Sequence, residues 1–266
     1  MLGAIIGDIV GSRFEWDNYK AKDFDFLAQD CFFTDDSVMS LAICQALMDS
    51  KADFSDLREQ AVKNMRSFGL AYPDAGYGGR FSGWLLFGNP QPYNSYGNGS
   101  AMRVSGVVYA AQSLEQVKQL STMVTDVTHN HPEGIKGAEA TAVAAFMAKQ
   151  GSSMDEIRAY IDKNYYPMDF TLDEIRPTYV FNETCYATVP QALMSFFEST
   201  SYEDAIRNAI SLGGDSDTMA AITGAIAECY YGIPKKLRAQ GKAYLDANLL
   251  GVLEHFEAIY PPKICD

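Results

Sequence analysis

The chain has 266 residues, is 47% hydrophobic and carries a formal net charge of −13. That is enough apolar material for one large domain with a substantial core, and the acidity argues against a broad surface for nucleic acid or anionic lipid. Five scattered cysteines (Cys31, Cys44, Cys185, Cys229, Cys265) form no C-x-x-C pair, which fits a reducing compartment. No Pro/Ser tract or charge block divides the chain, so residues 1–266 read as a single domain.

The first stretch, Met1 to Trp16, spaces Gly3, Gly7 and Gly11 by four among isoleucines. Such spacing predicts a helix with a glycine face that another helix approaches closely. Asp8, Ser12 and Glu15 then form a polar stripe, with Asp8 expected to bond backbone or hydroxyl groups and Glu15 open to a surface reading. Asp8 also interrupts the early apolar run, so no signal peptide is read. No segment approaches the roughly 20 apolar residues of a membrane span, and a cytoplasmic location is expected.

Phe33-Thr34-Asp35-Asp36-Ser37 precedes an apolar-periodic helix marked by Val38, Leu41 and Leu47. A helix around Ser55–Gly69 follows. Tyr72 to Phe81 then reads as a glycine loop, with Gly76, Tyr77, Gly78 and Gly79 able to turn backbone N–H groups towards phosphate oxygens. Asp74 lies within reach of whatever that loop holds; an ordinary surface turn is the rival reading. Gly88 to Gly99 is also loop-like, with Tyr93 and Tyr96 placed either to flank a flat ring or to pack. It runs into Gly97–Arg103, which delivers Asn98 and Ser100 to a new helix start.

His129 and His131 fall in Thr128–Gly134, where no third nitrogen or sulfur ligand supports zinc. A histidine ahead of a helix can instead donate to a ribose hydroxyl or a phosphate. Amphipathic helices follow at Lys136–Lys149, Met154–Lys163, Pro190–Phe197 and Tyr202–Leu212, and later at Lys235–Ala247 and Leu249–Ile259. His255, in the last of these, reads as a plain structural residue. Strand-like alternation is scarce, and the fold class is all-α.

Gly213-Gly214-Asp215-Ser216-Asp217-Thr218 opens a further helix marked by Met219, Ile222, Ile226 and Tyr230. Glycines make the turn, and Asp and Ser suit capping positions. This is the second helix start with paired acids and a Thr. Together the two starts offer hard oxygen donors suited to Mg²⁺, Mn²⁺ or Ca²⁺ rather than zinc or copper. Acids brought so close repel one another unless cations sit between them, and a site with two ions on the order of 4 Å apart would hold them.

The ordered set G-D-x-x-G-S-x-x-E, T-D-D-S, glycine loop, G-N-G-S-A-M-R, T-H-x-H and G-G-D-S-D-T resembles the ADP-ribosylglycohydrolase family, from Gly3 to about Gly232. That family includes the dinitrogenase reductase-activating glycohydrolases and the ADP-ribosylarginine and ADP-ribosylserine hydrolases. The resemblance implies a compact orthogonal multi-helix bundle with a dinuclear cleft holding two Mg²⁺ or Mn²⁺. It makes Thr34, Asp35, Asp36, Asp215, Asp217 and Thr218 metal ligands and places Glu15 close to the ions. It assigns Gly76–Gly79 to the diphosphate, Gly99 and Ser100 to the distal ribose and its phosphate, and His131, or in its place His129, to a ribose or phosphate contact.

The expected chemistry is hydrolysis at a ribose anomeric carbon. Bound ions would supply an acidic water as the nucleophile, carboxylates such as Asp36 and Asp217 would handle its proton, and Glu15 or Asp74 would serve the leaving group. The expected reaction releases ADP-ribose from a modified protein, with arginine the favoured target. Serine-, ester- and nucleic-acid-linked ADP-ribose stay open, as do a non-catalytic ADP-ribose binder or structural protein on the same scaffold and a phosphohydrolase that would release AMP.

Overall fold

The computed structural model describes residues 1–88 and 90–265. Asn89, inside the loop expected at Gly88–Gly99, and Asp266 lie outside the described residues. In chain order the helices are α1 (Leu2–Gly11), α2 (Asp35–Asp49), α3 (Leu57–Ala71), α4 (Gly79–Leu86), α5 (Gly99–Met102), α6 (Val107–Ala110), α7 (Leu114–Thr125) and α8 (Pro132–Lys149). Then come α9 (Met154–Asn164), α10 (Leu172–Ile175), α11 (Cys185–Phe197), α12 (Tyr202–Ile210), α13 (Ser216–Tyr231), α14 (Lys235–Lys242) and α15 (Ala247–Ile259). The strand content among the described residues is a two-residue parallel pair, β1 (Ile233–Pro234) and β2 (Ile264–Cys265). The architecture is the all-α bundle that the sequence predicts.

Helix starts follow local chemistry. Thr34, Ser113 and Ser201 each accept a backbone N–H of their own first turn. Ser153 with Glu156 and Thr171 with Glu174 form capping boxes. Buried all round from Ser216 to Cys229, α13 is the central helix. It packs against α1, α8, α11 and α12. The glycine face of α1 lies on it, antiparallel: Gly3 meets Gly224, Gly7 meets Ala220 and Gly11 meets Asp217. A Cβ on Gly11 would stand 2.5 Å from Asp217 Cα, so only glycine permits this approach. The glycines thereby carry the end of α1 to the acids at the start of α13.

Several boundaries differ from expectation. α1 stops at Gly11 and continues as a 3-10 turn, Ser12–Phe14, where Ser12 Oγ donates to Ile9 O at 2.9 Å. Glu15 therefore leaves the helical stripe it was expected to share with Asp8. α11 starts at Cys185 and carries Pro190 inside it, rather than starting there. α15 starts at Ala247 because Asp246 accepts from the N–H groups of Asn248 and Leu249, both at 2.9 Å. His255 is exposed on that helix.

Candidate active site

The two acid-bearing helix starts meet. Before α13, Gly213 and Gly214 hold φ of +67° and +73°, a left-handed turn that L side chains rarely adopt. It sets Asp215 at the N-cap of α13 and Asp217 in the first turn, where the free N–H groups favour negative charge. Thr218 N donates to Asp217 Oδ1 at 2.9 Å. Across the junction Thr218 Oγ1 donates to Asp36 Oδ2 at 3.2 Å, which ties α13 to α2.

Asp8 anchors the α2 start from below. It accepts from Thr34 N (3.0 Å), Thr34 Oγ1 (2.7 Å), Ser37 N (3.1 Å) and the Ser37 hydroxyl. Glu15, half-buried, brings a carboxylate oxygen within 4.8 Å of oxygens of Asp215 and Asp217.

Burial, followed by the charge of Asp217, pushes Asp35 and Asp36 well above the usual carboxylate range. Burial and the Asp215 charge do the same to Asp217. Burial lifts Asp8 and Asp215 to about 6 each, although hydrogen bonds oppose it. Glu15 rises to about 7, through burial first and then the charges of Asp217 and Asp8. Asp36 Oδ1 is buried without a hydrogen-bond partner among the described residues. An all-oxygen donor set, an orphaned carboxylate oxygen and mutual repulsion are together what a hard divalent cation relieves. The residues present fit such an ion.

Beside the acids lies a cavity of about 240 Å³. Its lining falls into two groups. One is acidic: Asp35, Asp36, Asp215 and Asp217, with Glu183. The other gathers Arg80, Arg103, His129 and Tyr93, with the Arg80 guanidinium 4.9 Å from the Tyr93 ring centroid. Gly76, Gly78 and Gly79 line it as well, and a Cβ on Gly78 or Gly79 would meet nothing within 4 Å. Asp35 N donates to Ala75 O at 2.8 Å, so the glycine loop is tied to the metal-type cluster.

Asn98 reaches from the loop before α5 and donates to Asp215 Oδ2 at 2.6 Å and Thr188 Oγ1 at 3.2 Å. Its own N–H is held by Glu183 O at 2.8 Å, and Gly97 bridges Thr184.

The protonation of His129 follows from its neighbours. Arg103, fully buried, can only donate, and its Nη2 lies 2.7 Å from Thr128 Oγ1. The Thr128 hydroxyl proton is thus free for His129 Nδ1, 2.7 Å away, closer than the alternative acceptor Thr125 O at 3.4 Å. Burial, then the charges of Arg103 and Arg80, hold His129 well below its usual pKa. The ring is neutral and keeps its proton on Nε2, the atom beside Gly97 and Gly99.

Other expected residues stand apart from the cavity lining. Asp74 is exposed on its loop. Ser100 Oγ donates to Gly134 O at 2.9 Å and so holds backbone. His131 caps α8, accepting from Glu133 N at 3.1 Å, and its ring packs 5.2 Å from that of Tyr96. Tyr77 packs on Phe81, and Thr34 is buried beneath the acids. Sequence reasoning missed Met39, Arg80, Phe81, Ser95, Met102, Arg103 and Glu183 as lining. Arg103 stood inside the quoted G-N-G-S-A-M-R motif, but nothing in a sequence marks an arginine as buried.

The family model described as ADP-ribosylglycohydrolase matches residues 1–257. The human protein named ADP-ribosylhydrolase ARH3 is 26% identical over 288 residues, covering 84% of this chain and 78% of its own. A Pseudomonas putida protein named ADP-ribosylarginine hydrolase Tri1 is 27% identical over 269 residues, covering 88% of this chain and 70% of its own. A solved structure titled ADP-ribosylglycohydrolase-related protein complex superposes with a TM-score of 0.68 at 21% identity over 97% of each chain, a likeness of fold.

Proposed function

The chain belongs to the ADP-ribosylglycohydrolase family, and from that premise we propose that it is a metal-dependent hydrolase that releases ADP-ribose from a modified arginine side chain of a protein. The observation that carries this reading is the meeting of the two acid-bearing helix starts beside a cavity that also holds two arginines, a neutral histidine and a glycine loop. Residues 1–266 act as one domain in this reading. Thr34, Asp35, Asp36, Asp215, Asp217 and Thr218 would hold two Mg²⁺ or Mn²⁺ ions. When bound, such ions supply positive charge that offsets the carboxylates, fixes ribose hydroxyls and makes water acidic enough to be a nucleophile at neutral pH.

The chain's own groups do the rest. Arg80 and Arg103 and the N–H groups around Gly76–Gly79 offer positive charge and donors for a diphosphate, and His129 Nε2–H donates beside Gly97 and Gly99. Tyr93 presents a ring against which a flat base can stack. With the ribose so held, its anomeric carbon lies by the acids, whose negative charge stabilises the oxocarbenium-like transition state. Glu15, half-exposed and within 4.8 Å of the Asp215 and Asp217 oxygens, is the acid that protonates the departing group or takes the proton of the attacking water. Asp74, exposed and outside the carboxylate cluster, is the weaker of the two candidates for that role.

The test offers arginine-, serine- and nucleic-acid-linked ADP-ribose with Mg²⁺, Mn²⁺ or chelator and identifies products by mass. Intact ADP-ribose released from the arginine linkage and lost in chelator is the expected result. AMP as product would replace this reading with phosphohydrolysis. Binding of ADP-ribose without turnover of any substrate would make the chain a binding protein.

A further inference from the structure

The residue after Glu15 is used by none of the chemistry above. Trp16 is 77% exposed, and its ring stacks on Phe181 with centroids 4.9 Å and planes 20° apart. An indole this exposed, stacked on the partly buried Phe181, is worth explaining, because large aromatic rings are mostly covered. Both partners are anchored at the site. The Trp16 side chain reaches the Glu15 carboxylate, which clusters with Asp215 and Asp217. The backbone of Phe181 abuts Gly214, 3.3 Å from where a Cβ there would be. Two residues on, Glu183 lines the cavity. The aromatic plate therefore stands beside the acids, next to the carboxylate that would serve the leaving group.

Its charge environment is one-sided. Asp17 and Glu183 are exposed, and Glu183 acts on Glu15 through its charge. The cations flanking Trp16 in sequence are both engaged: Arg13 with Asp30 and the Asp25 carbonyl, Lys20 with the carbonyls of Tyr179 and Leu212. A π face bordered by carboxylates suits a planar, weakly hydrated cation: a guanidinium stacks on the ring and keeps its edge N–H groups for the acids. A compact ammonium fits it less well, and a hydroxyl gains nothing from it.

We propose that Trp16 and Phe181, with Glu183, form the subsite for the arginine side chain that carries the ADP-ribose. This subsite selects a guanidinium linkage over an uncharged one. The proposal rests on the ADP-ribose hydrolase reading for its meaning, but its test does not depend on turnover.

The chain has two tryptophans, exposed Trp16 and buried Trp84, so two indole N–H signals report separate environments. The full chain, ¹⁵N-labelled and held in chelator, is titrated with Nα-acetylarginine amide, and then with the matching lysine and serine amides. The expected result is a saturable shift of the Trp16 indole signal by the arginine probe, a weaker response to lysine and none to serine, with Trp84 unmoved. Phe181→Ala should weaken the response about 3–5-fold while leaving the circular dichroism spectrum unchanged. In turnover of arginine-linked substrate it should raise KM about 3–5-fold with little change in kcat. Equal responses to arginine and serine, or none from Trp16, would overturn the subsite. Calorimetric titration with ADP-ribose tests the hydrolase reading separately. An arginine response without ADP-ribose binding would keep the guanidinium site and sink that reading, and the reverse would do the opposite.

Discussion

The antiparallel pair α1–α13 buries carboxylates at both ends, and the two ends treat them in opposite ways. At one end Glu228, fully buried, accepts from Gly3 N at 2.8 Å and is ion-paired with the Met1 amino group and with Arg238 at 3.3 Å. Burial pushes its pKa up, yet the Met1 charge and these bonds hold it below the ordinary value. At the other end Asp35, Asp36, Asp215 and Asp217 have no ion pair among the described residues, and all are raised. A buried acid that serves structure is neutralised by the protein itself. A buried cluster left unneutralised at a cavity is arranged for something that arrives from outside.

The largest expected effect tests that division at the active end. Asp217→Ala should lower metal-dependent turnover by at least about 10³-fold, measured on arginine-linked ADP-ribose, while circular dichroism keeps the helical signal. Unchanged turnover would remove Asp217 from the site. At the opposite end Glu228→Gln should cost about 3–5 kcal/mol of stability, because it strands the buried Met1 amino charge and leaves Arg238 with Glu257 alone. A denaturant midpoint equal to that of wild type would show that Glu228 is not the counter-charge described here.

A smaller effect sharpens the contrast through pH. In chelator the raised acids of the active end favour the protonated folded state. The stability they contribute is present below about pH 4 and is lost as pH rises through about 6 for Asp8 and Asp215 and about 7 for Glu15. The chelated protein should therefore lose on the order of 2 kcal/mol between pH 5 and pH 8, and saturating Mn²⁺ should flatten that slope because a bound ion keeps the carboxylates ionised. A melting temperature independent of pH in chelator would contradict the raised values.

The smallest effect concerns the tautomer of His129. Thr128→Val removes the hydroxyl between Arg103 and Nδ1, and ADP-ribose affinity should fall about 10-fold. Thr128→Ser should restore it, and the ¹⁵N ring shifts of His129 should show Nε2–H lost in the first variant and kept in the second.

Much of this was legible in the sequence, for reasons that particular residues make plain. Glycines four apart have few uses in a helix other than close approach, so Gly3, Gly7 and Gly11 announced a helix contact, whose partner the structure identifies as α13. Thr34–Asp36 and Asp215–Thr218 stood out because capping chemistry adjoined an apolar period. Asp8 read as a buried, bonded acid, and four donors surround it.

Other features needed three dimensions. The sequence left His129 and His131 both open; only the packing around Arg103 and Thr128 puts His129 on the cavity and leaves His131 to cap a helix. Arg80, Arg103 and Glu183 come from three distant segments, and pairing of the Gly97 loop with Thr184 joins two of these regions. The helix read as Pro190–Phe197 begins further back, at Cys185, with the proline inside it.

The most direct test of the central claim is a calorimetric titration of Mn²⁺ into chelator-stripped protein at pH 8. Wild type should bind the ion and release protons, Glu228→Gln should bind it equally under conditions where it stays folded, and Asp217→Ala should bind it far more weakly. An ion that fails to bind wild type, or binds Asp217→Ala just as tightly, would mean that the acids at the start of α13 are not held apart for a metal.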